Sequence, residues 1–219
     1  MRQAVRDAEI GPLRADRLVR VRLRNGRAAW VLIHIEVQSQ PERAFARRMF
    51  DYYCRIRLHF GEEVVSLAVL ADERASWRPD RYEEGRWGCL MDFRYPVVKL
   101  TDWRARRDVL EASENPFATV VLAHLAAQDT QGKVNERRRV KIEMIRRLFA
   151  RGYSRARVLS LLRFIDWLLA LPSTIEKEVR QEIVILEEGR KMAYVTSWER
   201  MSKAEGLEQG LAQGLAQGL

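Results

Sequence analysis

Two alternating runs that meet at an Asn-Gly constrain this chain more than any other feature. Arg17–Leu23 alternates, Arg24-Asn25-Gly26 follows, and Ala28–Gln38 alternates again. Asn-Gly between two such runs is a strong hairpin signal, because it supplies the left-handed backbone that a tight turn needs. In the second strand, Val31, Ile33, Ile35 and Val37 share one face, and His34, Glu36 and Gln38 share the other. In the first, Val19, Val21 and Leu23 form the matching apolar set, with Asp16, Leu18, Arg20 and Arg22 opposite. A two-residue loop would put the two apolar sets out of phase. A three-residue loop pairs Leu23 with Arg27, Val19 with Val31, Val21 with Ala29 and Asp16 with His34. That register is the expectation, since a one-residue slip would turn every side chain to the wrong face.

The rest of the first half also reads as α/β. Phe45, Met49, Tyr52, Tyr53 and Ile56 fall at helical spacing within Pro41–Phe60. Ser39 with Glu42 fits a capping box, and Gly61 fits the stop. Val64–Leu70 reads as a buried strand, and Trp87–Leu100 as one or two more, broken at Pro96. The second half reads as helical. Helices are expected from Asn115-Pro116 to about Gln128, over Arg137–Arg151, from Ser154 to Leu171, and after a Ser173–Glu176 capping box. The tail repeats Gly-Leu-x-Gln, which places Leu207, Leu211, Leu215 and Leu219 along one helical face. The expected layout is therefore a core over 1–103, a helical region over 104–205 and a repeat tail over 206–219.

Composition narrows the functional classes. The chain has 219 residues, 47% of them hydrophobic, with 39 Lys+Arg against 30 Asp+Glu and a net charge of +9. The excess is concentrated. Residues 1–30 hold eight Arg against three acids, and residues 131–163 hold eleven basic groups against two. Such a balance suits an anionic partner, nucleic acid above all. Two cysteines, Cys54 and Cys89, make neither a disulfide framework nor a zinc cage, and both are expected to be buried small hydrophobes in a reducing cytoplasm. No apolar run approaches the ~20 residues of a membrane helix, and the first residues lack a signal-peptide core.

The hairpin's polar face is where chemistry is expected. Asp16 and Glu36, brought together on adjacent strands, repel unless a cation sits between them. A hard divalent ion such as Mg²⁺ suits two carboxylates and water, and can activate that water and stabilise a phosphorane-like transition state. Gln38 can orient the attacking water or donate to a phosphate oxygen. The N-terminus of the following helix adds positive potential. Arg20, Arg22 and Arg48 are candidates for a nucleic-acid backbone, and His34 is expected to pack behind the metal rather than ligate it. The plain alternative for all of these is a solvated strand face.

The residues carrying this chemistry resemble a known family. Trp30–Gln40 (WVLIHIEVQSQ) and Phe45–Phe50 (FARRMF) look like the recombination-promoting nuclease, or transposase-like, family of the PD-(D/E)xK nuclease superfamily. The likeness continues through Val64–Leu70, Trp77–Asp80, Phe93–Leu100, Asn115–Phe117, Phe164–Trp167, Met192–Ser197 and the tail. It implies an α/β (α+β) fold, a restriction-endonuclease-like mixed sheet with flanking helices, and Mg²⁺-dependent DNA cleavage. It makes Asp16 and Glu36 the metal-binding acids, and puts Gln38 where many relatives have Lys. The chain departs from the superfamily pattern in that Gln38 lacks a charge and Ala15, not Pro, precedes Asp16. The usual core also has a helix and a strand ahead of the first acid, and fifteen residues cannot hold both. Those elements are expected to be missing, which would leave a sheet edge exposed.

Two other readings compete with the nuclease. One is a DNA-binding protein that does not cleave and uses the basic helices of 137–163. The other is a helical module whose C-terminal helices and leucine tail join copies of the chain into a homo-oligomer.

Overall fold

Alternating apolar residues in the first half and 3.6-residue periodicity in the second build an α+β protein. The computed structural model describes residues 30–188 and the segments 3–4, 9–10, 13–14 and 17–22, with side chains for Val19 and for 31–183. One compact unit ends at Ala105 and a second begins at Arg106.

The strands of the first unit are β1 (Gln3–Ala4), β2 (Glu9–Ile10), β3 (Leu13–Arg14), β4 (Arg17–Arg22), β5 (Trp30–Gln38), β6 (Glu63–Leu70), β7 (Arg81–Arg86), β8 (Cys89–Arg94) and β9 (Val97–Lys99). Five form a sheet in the order β1-β4-β5-β6-β9. β4 runs antiparallel to β5, while β5, β6 and β9 are parallel. β1 pairs with β4, so β4 is not the edge that the sequence left it as. β7 and β8 form a separate hairpin that turns at Trp87 and Gly88, both with positive φ (53° and 85°). β7 was not expected, because Arg-Tyr-Glu-Glu-Gly-Arg has no apolar alternation.

The hairpin register differs from the expected one by two residues. Val19 lies opposite Ile33, Val21 opposite Val31, and Leu18, not Asp16, opposite His34. A shift of two leaves every residue on its expected face, so alternation cannot tell the registers apart. The observed register pairs branched apolar residues with each other, Val21 with Val31 rather than Ala29, which is the stronger cross-strand combination. The Arg24–Gly26 turn lies outside the described residues.

The helix α1 (Phe45–Phe60) is the crossover between parallel β5 and β6. Its stripe of Phe45, Met49, Tyr52 and Ile56 is buried against Leu32, Val64, Ala68 and Leu70. Leu32, His34 and Glu36 alternate with Ile33 and Ile35, so the face carrying His34 and Glu36 is the one α1 covers. The other face stays more open, with Val37 49% and Val65 41% exposed. The polar face of the sequence reading is thus the buried one. α1 begins at Phe45, without a side-chain cap, so the Ser39–Glu42 capping box does not form. The helix does end at Gly61, in the left-handed conformation (φ 64°).

A 3-10 turn (Leu100–Arg106) leads into the second unit, which is helical: α2 (Arg107–Ala112), α3 (Pro116–Asp129), α4 (Val134–Ala150), α5 (Arg155–Leu168) and α6 (Ser173–Glu188). Asn115 caps α3 by accepting from the Phe117 N–H at 3.0 Å, with Pro116 in the first turn. Ile142, Ile145, Leu148, Val158, Leu161, Ile165, Val179 and Ile183 form its core. No described helix is long and apolar enough to cross a membrane. Cys54 is half-buried and Cys89 is exposed on the β7–β8 hairpin, so the expectation of two buried thiols fails. Met192–Ser197 and the Gly-Leu-x-Gln tail lie outside the described residues.

Candidate active site

The parallel strands β5, β6 and β9 end together, and the ends of parallel strands are where α/β sheets collect their ligand groups. Gln38 closes β5 opposite Leu70, and the Ala71 N–H donates to its carbonyl at 2.8 Å. Strand alternation puts Glu36 and His34 on the same face, under α1. Glu36 is 5% exposed and His34 is fully buried.

His34 stands behind Glu36. Its Nδ1 lies 3.2 Å from Ser66 Oγ, and its ring meets Tyr52 edge-on at 5.2 Å. Its Nε2 is 3.5 Å from Glu36 Oε2 and makes no hydrogen bond. The second Glu36 oxygen, Oε1, is 3.4 Å from Nε of Arg48.

Arg48 sits one turn into α1 and holds three groups at once. Beside Glu36, it donates through Nη2 to Gln38 Oε1 at 2.7 Å and through Nη1 to Glu42 Oε2. Partial burial works against its charge, but the carboxylates of Glu42 and Glu36 more than offset this and hold its pKa above the ordinary value. Arg48 was expected to meet a nucleic-acid backbone. Instead it turns inward, because two carboxylates and an amide oxygen are within its reach. Gln38 is engaged at both ends, its Nε2 donating to the Gln40 carbonyl at 2.8 Å. Glu42, read as a cap, is instead part of this cluster, and neither its spacing nor its type distinguished the two roles.

Among the described residues, no group of three or more His, Cys, Asp or Glu side chains is arranged to hold a metal. Asp16 lies outside the described residues, as do the side chains of Arg20 and Arg22. The register places Arg20 opposite Leu32 and Arg22 opposite Trp30. The donor chemistry does fit a hard cation in part. Glu36 offers a buried carboxylate, a ligand type Mg²⁺ takes, whereas the Gln38 amide oxygen already accepts from Arg48. A second carboxylate must come from elsewhere in the chain, and Asp16 is the candidate.

The same sheet end carries a second buried charge. Lys99, at the end of β9, donates to Asp72 Oδ2 at 2.6 Å and to the carbonyls of Arg74 and Trp77 at 3.0 and 3.3 Å. Sequence reading singled out neither residue. Comparison with protein-family profiles, curated proteins and solved structures returned no match for this chain.

Proposed function

We propose that this chain is a Mg²⁺-dependent phosphodiester hydrolase acting on DNA. The observation that supports it most is the Glu36 carboxylate, buried at the end of a parallel strand and two residues ahead of an amide on the same face. Burying a carboxylate carries a desolvation cost that a facing arginine, here Arg48, only partly offsets, so its place at the end of a parallel strand supports a functional role. The resemblance of Trp30–Gln40 to the recombination-promoting nucleases supports the same reading.

In this proposal Glu36 and Asp16 hold the ion and Gln38 orients the attacking water. Bound there, Mg²⁺ supplies Lewis-acid stabilisation of the phosphate and lowers the pKa of a coordinated water. Arg48 is a positioning residue, fixing the Glu36 and Gln38 side chains against α1. The base-independent basic surface of the chain supplies attraction to the DNA backbone.

The test is nicking of supercoiled plasmid by the full chain, in Mg²⁺ and in EDTA, beside Glu36→Gln. Cleavage should require the metal and fall by about 100-fold or more in the variant. A folded wild-type chain that does not nick, or a variant that nicks as well as wild type, sinks the proposal.

A further inference from the structure

The second unit contains a groove of about 680 Å³ along α4, bordered by α2, α3 and α6. Six arginines line it: Arg107, Arg138, Arg139, Arg146, Arg147 and Arg151. Three carboxylates accompany them: Glu111, Glu143 and Glu182. Six positive charges against three negative leave an excess of three. Asp129 and Glu178, outside the lining, pair with Arg107 and Arg138 and reduce the excess to one.

The three acids orient the guanidiniums as much as they neutralise them. Glu182 takes Arg146 at 2.9 Å and Arg138 at 3.3 Å. Arg147 spans Glu143 at 2.8 Å and Glu111 at 2.9 Å. Arg151 is held by the backbone carbonyls of Glu111 (2.6 Å) and Ser113. Arg139 is exposed and makes no hydrogen bond or ion pair with a described residue. Arg139 and Arg146 are seven residues apart on α4, about 10 Å along the helix axis, or roughly three base-pair steps of a duplex. Every cation in the groove is Arg, whose planar fork matches phosphate geometry better than the point charge of Lys. No Phe, Tyr or Trp lines the groove, so it has no platform on which to stack unpaired bases.

The geometry points to this groove in the second unit as a docking site for the phosphate backbone of duplex nucleic acid. The choice of DNA as the polymer rests on the proposed function, whereas the phosphate contact does not. Arg139 and Arg146 make the direct contacts, with Glu182 holding Arg146 and Arg138 and Glu143 holding Arg147 in place.

Anisotropy of a labelled DNA duplex, titrated in EDTA at several salt concentrations, tests this without any dependence on cleavage. The full chain, Arg139→Ala and the double variant Arg139→Ala/Arg146→Ala would be compared. A control, Arg57→Ala/Arg86→Ala, removes equal charge elsewhere. The double variant should bind roughly 10-fold or more weakly, with a salt slope reduced by about two, and Arg139→Ala by about one. The control should bind nearly as wild type. Arg139→Ala removes no bond to a described residue, so it reads the contact even if the double variant is poorly folded. Unchanged affinity and slope in Arg139→Ala overturn the proposal, as does an equal loss in the control. If a poly-glutamate peptide binds the groove in an Arg139-dependent way and DNA does not, the partner is an acidic protein and the proposal also fails.

Discussion

Among the described residues, each unit buries one lysine, and the two are balanced differently. Lys99 faces one carboxylate, Asp72, and two backbone carbonyls, so its three protons have three acceptors and the cluster carries no net charge. The Trp77 ring lies 5.6 Å from its ammonium. Asp72 in turn accepts from the Arg74 N–H at 2.9 Å, which ties residues 72–77 to the end of the sheet. Lys141 faces two carboxylates. Asp166 Oδ1 lies at 2.6 Å, and the oxygens of Glu176 at 2.7 and 2.9 Å. That cluster joins α4, α5 and α6 with one negative charge too many when both acids are ionised. Desolvation, together with the hydrogen bond to Asp166, holds the Glu176 carboxyl above its ordinary pKa against the pull of Lys141. A balanced pair is a fixed clamp, whereas an unbalanced triad answers to pH.

Removing the only carboxylate at Lys99 should have the largest effect. Asp72→Ala leaves a buried ammonium without a counter-charge, which costs about 3–5 kcal/mol. Urea unfolding measures the loss, and hydrogen exchange should localise it to β6 and β9. The double variant Asp72→Leu/Lys99→Met should recover most of it, because exchanging a whole buried pair for apolar groups is often neutral. A loss below about 1 kcal/mol in Asp72→Ala would mean that the two carbonyls suffice and that the pair is no clamp.

Lys141→Met breaks the other cluster in the opposite sense, leaving two partly buried acids facing each other. About 3 kcal/mol should be lost at neutral pH, and less in acid, where one carboxyl can take a proton and donate it to the other. Thermal melts across pH check this. A deficit that stays constant with pH would show that packing, and not charge, is what the lysine contributes.

The sequence revealed elements whose signal is local and concealed those whose partners are distant. Phe45, Met49, Tyr52 and Ile56 announce α1 by spacing alone, and Asn115-Pro116 announces α3 by its cap. Alternation assigned the faces of β4 and β5 but left their register open by two residues. The site was half legible. His34, Glu36 and Gln38 share a face, as the period of two requires. That α1 buries this face, and that Arg48 turns in to meet Glu36 and Glu42, depends on packing no spacing encodes. Lys99 finds Asp72 from 27 positions away, and Lys141 finds Glu176 from 35. Nothing in the residues around either lysine distinguishes it from an exposed one.

Glu176→Gln is the smallest of these changes and isolates the surplus charge. The folded pKa of Glu176 is raised, so its contribution to stability is fully present below the ordinary value of 4.5 and is lost as pH rises through the folded value. Glutamine resembles the protonated acid at every pH and leaves Lys141 paired with Asp166. The variant should therefore match wild type in acid and become the more stable of the two as pH rises. Melting temperature against pH for both proteins gives the answer directly. Curves that run parallel from acid to neutral would mean that Lys141 already compensates both acids, and the contrast between the two lysines would then be one of geometry alone.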